Sequence, residues 1–344
     1  ERVLGADNPD TLTSRNNLAY VYWSAGRFDE AIPLFEQTLA SSERVLGADN
    51  PDTLTSRNNL ASAYESAGRL DQAIDLYEQN LAEALRILGP DHPHTLTLRG
   101  NLAAAYQDAD RLSEAVPLFE QILADRERVL GPDHPDILAL RGNLAGVYLF
   151  AGRLEQAVPL FEQNLADRER VLGPDHPDTL TSRNNLANAY QAAGRIDEAI
   201  DLHKKNLADR ERVLGPDHPD TLTSRNNLAN AYQAAGRIDE AIDLHKKNLA
   251  DRERVLGPDH PDTLTSRNNL ANAYRSAGRP EQAVPLFEQN LAEALRILGP
   301  DHPNTKTFRK NLAAAYRAVG RDEDAAALLD PPSDPDDTDT ETPT

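Results

Sequence analysis

The chain has 344 residues, 56 acidic against 36 basic side chains, a formal net charge of −20 and a pI near 4.8. That balance argues against nucleic acid, which is held by neutralising phosphates, and disfavours an anionic membrane surface. The absence of cysteine excludes disulfides and thiolate metal sites, and no apolar run approaches the roughly 18 residues that span a bilayer.

Methionine is absent too, and the chain opens at Glu1-Arg2-Val3-Leu4, read as the last turn of a helix that begins upstream; a fragment is expected. No signal peptide is visible there. A Leu-Gly pair then recurs at Leu4, Leu46, Leu88, Leu130, Leu172, Leu214, Leu256 and Leu298, a step of 42 residues without insertion. Self-similarity at a fixed period of this size is the signature of a solenoid, in which each unit packs mainly on its neighbours.

The fifth unit serves as the type. Gly173 and Pro174 end the preceding helix, Gly through a left-handed C′ position and Pro because it cannot continue a helix. Asp175 or His176 can cap the next helix, with Pro177 at its first position and Asp178 at the positive end of its dipole. The first helix (helix A) is predicted over about Asp178–Ala193, with Leu180, Leu186, Ala187 and Tyr190 at helical spacing. Gly194-Arg195 breaks it. A second helix (helix B) is predicted over about Asp197–Val213, carrying Ile196, Ala199, Ile200, His203, Leu207 and Leu214 on one stripe. So short a connection demands an antiparallel hairpin. Pro33, Pro117, Pro159 and Pro285 are expected in about the first turn of helix B. Residues 167–208 and 209–250 are identical letter for letter. No segment alternates with period two, so no sheet is expected. The last helix B is short and acidic, and the Asp/Pro/Thr-rich segment from residue 331 to 344 is expected to be a disordered tail.

The run Asn185-Leu186-Ala187-Asn188-Ala189-Tyr190, followed by Gly194 and Ala199, resembles the tetratricopeptide repeat (TPR). The 42-residue unit and its Leu-Gly-Pro-Asp-His-Pro linker are similar to the kinesin-light-chain type, and the resemblance covers residues 1 to about 330 in eight copies. Arg183 and its counterparts stand where many tetratricopeptide repeats place Trp, and the coiled coil of kinesin light chains is absent. The resemblance implies an all-α, right-handed α-solenoid of eight hairpins and a non-catalytic scaffold that docks a protein or peptide segment on its concave helix-A face. Cofactors and metals are not expected, nor are nucleic-acid or membrane partners, and the expected location is cytoplasmic.

On that reading the concave positions of the fifth unit are Thr181, Asn184, Asn188, Gln191 and Ala192, repeated as Asn226, Asn230, Gln233 and as Asn268, Asn272, Arg275. Side-chain amides both donate and accept, which suits them to a peptide backbone. Tyr20 and Trp23 at the N-terminal end, and Leu149 and Phe150 in the fourth unit, are candidate anchors. Arg275, Lys306, Lys310 and Arg317 form a basic C-terminal end suited to a carboxylate-bearing segment, or to the acidic tail. Asn185 and its counterparts read as structural, bonding backbone between adjacent helices. Arg183 points into the hairpin and needs a partner, with Glu198 or Glu211 or their neighbours as candidates. The linker histidines recur one unit apart, too far to converge on one ion, and His203 and His245 read as packing residues. No phosphate loop, His-Glu-x-x-His or nucleophile elbow is present. Two alternatives stay open: the sensor region of a larger signalling ATPase, and self-assembly through exposed repeat ends.

Overall fold

A computed structural model describes Gly5 and residues 7–329. These fold into sixteen helices, with no strand among the described residues. They pair in sequence as α1 (Pro9–Ser24) with α2 (Phe28–Leu46), α3 (Pro51–Ser66) with α4 (Leu70–Ile87), α5 (Pro93–Asp108) with α6 (Leu112–Leu130), and α7 (Pro135–Phe150) with α8 (Leu154–Leu172). The second half continues with α9 (Pro177–Ala192), α10 (Ile196–Leu214), α11 (Pro219–Ala234), α12 (Ile238–Leu256), α13 (Pro261–Ser276), α14 (Pro280–Ile297), α15 (Pro303–Ala318) and α16 (Asp322–Leu329). Two compact units result, residues 1–167 and 168–344, and the division falls within α8. The acidic tail expected from residue 331 lies outside the described residues.

Local chemistry accounts for the boundaries. His176, rather than Asp175, is the N-cap of α9, its Nδ1 accepting from the Asp178 amide at 3.2 Å, with Pro177 at the first helical position. In hairpins one and two an Asn carboxamide does the same, as Asn50 Oδ1 does for Asp52 N at 2.9 Å. At the other end of α9, Gly194 N–H donates to Gln191 O at 3.1 Å and Arg195 N–H to Tyr190 O at 2.8 Å. This is the paired closure that a positive-φ residue permits, and Gly194 has φ +75°. The Arg195 guanidinium then lies 4.0 Å from the Tyr190 ring centroid, sealing the turn by a cation–π contact. Asp110 holds the Gly194 position in hairpin three at φ 56°, which Asp tolerates better than most side chains.

Two expectations are corrected. Gly215, which ends α10 as Gly173 ends α8, is not left-handed helical: its φ of 91° and ψ of 160° lie in an extended region open essentially to Gly alone. The prolines of helix B fall deeper than the first turn. Pro33 is the sixth residue of α2, so the Asp29 carbonyl loses its helical donor and faces solvent.

The core is assembled at hairpin junctions. Ile200 of α10 packs with Leu228 and Ala231 of α11, supported by Ile196 and Leu207, and the same set recurs as Ile242 with Leu270 and Ala273. In the first unit Ile32, Phe35, Leu39, Leu60, Ile74 and Tyr77 belong to one cluster. His203 is buried as expected, but the buried stripe of α10 also contains Asn206 and Arg210, which an apolar count overlooks.

Candidate binding groove

The helix-A faces of the second unit carry the groove. α9, α11, α13 and α15 present the same register positions, one hairpin after another, because the repeat has no insertion. Asn188, Gln191, Ala192, Asn227 and Asn230 line one recess of about 360 Å³. A larger one of about 620 Å³ is walled by Asn230, Gln233, Asn269, Asn272, Arg275, Ser276 and Asn311. Amides and one guanidinium supply most of the polar lining, beside Ala192, Ala234, Ile238 and Ser276, so both recesses hold donors and acceptors.

Not all the predicted residues share this lining. Thr181 is the fifth residue of α9, where its hydroxyl donates back to Pro177 O at 3.0 Å. Asn184, Asn226 and Asn268 are committed to a ladder between hairpins. Asn227 Nδ2 donates to Asn184 Oδ1 at 2.8 Å, Asn269 to Asn226 at 2.9 Å, and Asn311 to Asn268 at 2.9 Å. The first unit has the same rungs, Asn59 to Asn16 at 3.1 Å and Asn101 to Asn58 at 2.8 Å. The structural role expected of the Asn185 series is thus met through side-chain amides of the neighbouring hairpin, not through backbone. Gly100 stands at the acceptor position for Asn143 and has no carboxamide to offer.

The ladder separates two neighbouring Asn positions. Asn226→Ala strips Asn269 of its acceptor and should cost about 1 kcal/mol, whereas the groove-facing Asn230→Ala should stay within about 0.5 kcal/mol. Urea melts of the two variants, read by circular dichroism, check the difference.

Further along the groove, Gln233 Nε2 donates to Ser276 Oγ at 3.0 Å and Arg275 Nη2 to Asn272 Oδ1 at 3.1 Å, so these side chains are held across and along the face. Lys310 and Arg317 on α15 are exposed, and Lys306 pairs with Asp301 at 3.4 Å. In the first unit Trp23 occupies the register position of Gln233 and makes the same link, its Nε1 donating to Ser66 Oγ at 2.9 Å. Its ring packs on the core, with Tyr20 at 5.2 Å between centroids. Tyr20 remains 57% exposed and Phe150 68% exposed, while Leu149 is half-buried, so Tyr20 and Phe150 are the accessible aromatic surface here.

Tyrosines flank these faces on the side of the preceding helix B. Tyr64 donates to Glu36 at 2.6 Å and Tyr148 to Glu120 at 2.6 Å. Burial first, and the carboxylate second, push each phenol up to about 12, so both remain donors at neutral pH. In the duplicated hairpins a lysine replaces that carboxylate, and Lys204 lies 5.8 Å from the Tyr232 ring centroid.

No group of three or more His, Asp or Glu side chains among the described residues could hold a metal. No described helix is long and apolar enough to cross a membrane.

A family profile described as tetratricopeptide repeat matches residues 1–43, 10–82, 52–128, 97–166, 136–208, 184–250, 225–294 and 278–330. No curated protein matches the sequence significantly. Among solved structures, a Podosopora anserina protein described as a kinesin light chain with nearly identical TPR-like repeats is 36% identical, with a TM-score of 0.53, over 60% of this chain and 97% of its own. BtubC from P. vanneervenii is 22% identical, with a TM-score of 0.54, over 68% of this chain and 94% of its own. A Pyrococcus horikoshii signal-transduction ATPase with a tetratricopeptide repeat sensor is 13% identical, with a TM-score of 0.54, over 92% of this chain and 46% of its own. The last two likenesses concern the fold alone. With the profile matching residues 1–330 and the hairpin register unbroken, the chain belongs to the tetratricopeptide repeat family.

Proposed function

We propose that the chain is a non-catalytic scaffold that docks a partner peptide segment along its helix-A face, with the recesses between α9 and α15 as the main site. The observation that carries this reading is the amide lining itself. Asn188, Asn230 and Asn272, with Gln191, Gln233 and Arg275, present both donors and acceptors in two adjoining recesses of about 360 and 620 Å³. Such a wall can satisfy an extended backbone without demanding one sequence. Lys310 and Arg317 on α15 would bias selection at positions outside the recesses.

The test is a displayed library of random peptides, panned on the full chain and on a variant carrying Asn188→Ala, Asn230→Ala and Asn272→Ala. The ladder residues Asn184, Asn226 and Asn268 are left intact, so the variant should fold normally. Peptides enriched on the parent and at least tenfold weaker on the variant support the groove. Equal enrichment on both would sink it.

A sensor role within a larger signalling ATPase would use the same groove and differs only in what lies beyond these residues. Self-association has one observation in its favour. Leu18 of α1 is 48% exposed, whereas its counterpart Leu228 is 5% exposed. The described C-terminal end is a poor match for it, since α16 places Asp322 and Ala326 where α10 carries Ile196 and Ile200.

A further inference from the structure

The junction of hairpins one and two contains a cavity of about 420 Å³, with Leu12, Asn16, Thr38, Ser42, Asp52 and Ser56 among its walls. Its origin is a volume mismatch that the repeats make visible. The residue pair that meets there is Ser42 and Ser56, and the corresponding pairs at later junctions are Ala84 and Leu98, Arg126 and Leu140, Arg168 and Ser182, Arg210 and Ser224, Arg252 and Ser266, and Ala294 and Phe308. Every later pair contains at least one large side chain. The first has two small ones, and close packing of the rest leaves its volume unfilled.

The molecule also shows what fits. Arg210 is 6% exposed, and its Nη1 donates to Asp220 O at 2.9 Å and Ser224 Oγ at 3.0 Å. Arg252 repeats this with Asp262 O at 2.7 Å and Ser266 Oγ at 3.1 Å. At the first junction the same acceptors are present without the arginine. Ser56 Oγ lies 2.9 Å from Asp52 O and 3.3 Å from Ser42 Oγ, and Ser42 and Thr38 are buried. Asp52, counterpart of Asp220, also lines the cavity, and exposed Thr13 and Thr55 open it to solvent.

We propose that this cavity is a guanidinium-binding site that takes an arginine side chain supplied from outside the chain, in the place that Arg210 and Arg252 fill from within. A planar guanidinium brings five donors to the Asp52 carbonyl and the Ser56 and Ser42 hydroxyls, with the negative charge of Asp52 in the same wall. A lysine ammonium has the charge but not the fork. The site shares no residue with the amide recesses of the second unit and does not depend on them.

The test titrates the full chain with the blocked tripeptide acetyl-Gly-Arg-Gly-amide by calorimetry, with the lysine and citrulline tripeptides as controls. Saturable one-to-one binding of the arginine peptide is expected, at least tenfold weaker for lysine and citrulline. Ser42→Arg fills the cavity with the chain's own guanidinium, and Ser42→Ala with Ser56→Leu reproduces the pair at Ala84 and Leu98. Both variants have folded precedents in the same molecule, and both should lose the binding while keeping the parent's helicity. Free L-arginine in parallel tells the two sources apart: tighter binding of the peptide assigns a protein segment, tighter binding of the amino acid a small molecule. No saturable binding, equal binding of citrulline, or affinity unchanged in Ser42→Arg would overturn the site. Loss of peptide binding at Asn188, Asn230 and Asn272 leaves these outcomes untouched, so the two readings fail separately.

Discussion

Acidification from pH 7 to pH 4 should destabilise hairpins five and six by about 3 kcal/mol for each of two histidines, and His203→Phe with His245→Phe should remove that loss. Both imidazoles are fully buried on helix B, and neither ring nitrogen of either has a hydrogen-bond partner. Burial alone pulls both pKa values down to about 4 from an ordinary 6.5. The folded chain therefore binds fewer protons than the unfolded chain between those values. Stability is unaffected by these groups above pH 6.5, falls as pH drops towards 4, and levels off below it. The same position is Phe35, Tyr77, Phe119, Phe161 and Phe287 in other hairpins, so phenylalanine has a precedent for the space. Removing four unpaired buried nitrogens should also raise stability at pH 7, by about 1 kcal/mol or more per site. Because repeat arrays open locally, hydrogen exchange of α10 and α12 at pH 7 and pH 5 is the better readout than a global melt. If the double variant loses protection with acid as steeply as the parent, the histidines are not the cause.

Periodicity made the helices, their pairing and the family legible, since a constant register needs no knowledge of side-chain contacts. What escaped is polar. Asn184 and Asn185 are neighbours that read from sequence as groove and as structure respectively, yet Asn227, the counterpart of Asn185, donates to Asn184 and joins both series in one ladder. Trp23 read as an anchor because an aromatic side chain in a groove suits a hot spot; its place in register shows that it takes over the inter-hairpin link made elsewhere by Gln233. Asn206 and Arg210 were overlooked because an amphipathic count treats polar residues as solvent-facing, whereas both lie in the junction with α11. The signal was available in the repeats themselves. Ser42 and Ser56 form the one junction pair without a large partner, and comparing units position by position would have located the cavity before any coordinates.

The same comparison fixes the role of the buried arginines. Arg225→Ala should cost about 3 kcal/mol, and Arg225→Met less than half as much. Arg225 is 1% exposed on α11; its Nη2 meets Glu211 of α10 at 3.1 Å and its Nη1 meets Asp251 of α12 at 2.6 Å. One side chain thus ties three helices, one of them from the preceding hairpin. Glu198, a candidate partner from sequence, instead pairs with Arg195 across the turn, and Glu211 serves Arg225 of the next hairpin, while Arg183 bridges Glu169 and Asp209, each at 2.7 Å. The carboxylates keep between a fifth and two-fifths of their surface in water. Losing the guanidinium therefore leaves anions that solvent can rescue, and most of the penalty comes from the void left by a long side chain. Methionine refills that void without charge, which is why the smaller loss is expected. Arg183 lies in an identical 42-residue copy, so Arg183→Ala should match Arg225→Ala within about 0.5 kcal/mol when α9 and α11 are followed by hydrogen exchange. Equal losses for alanine and methionine at position 225 would mean that charge, rather than volume, joins the three helices.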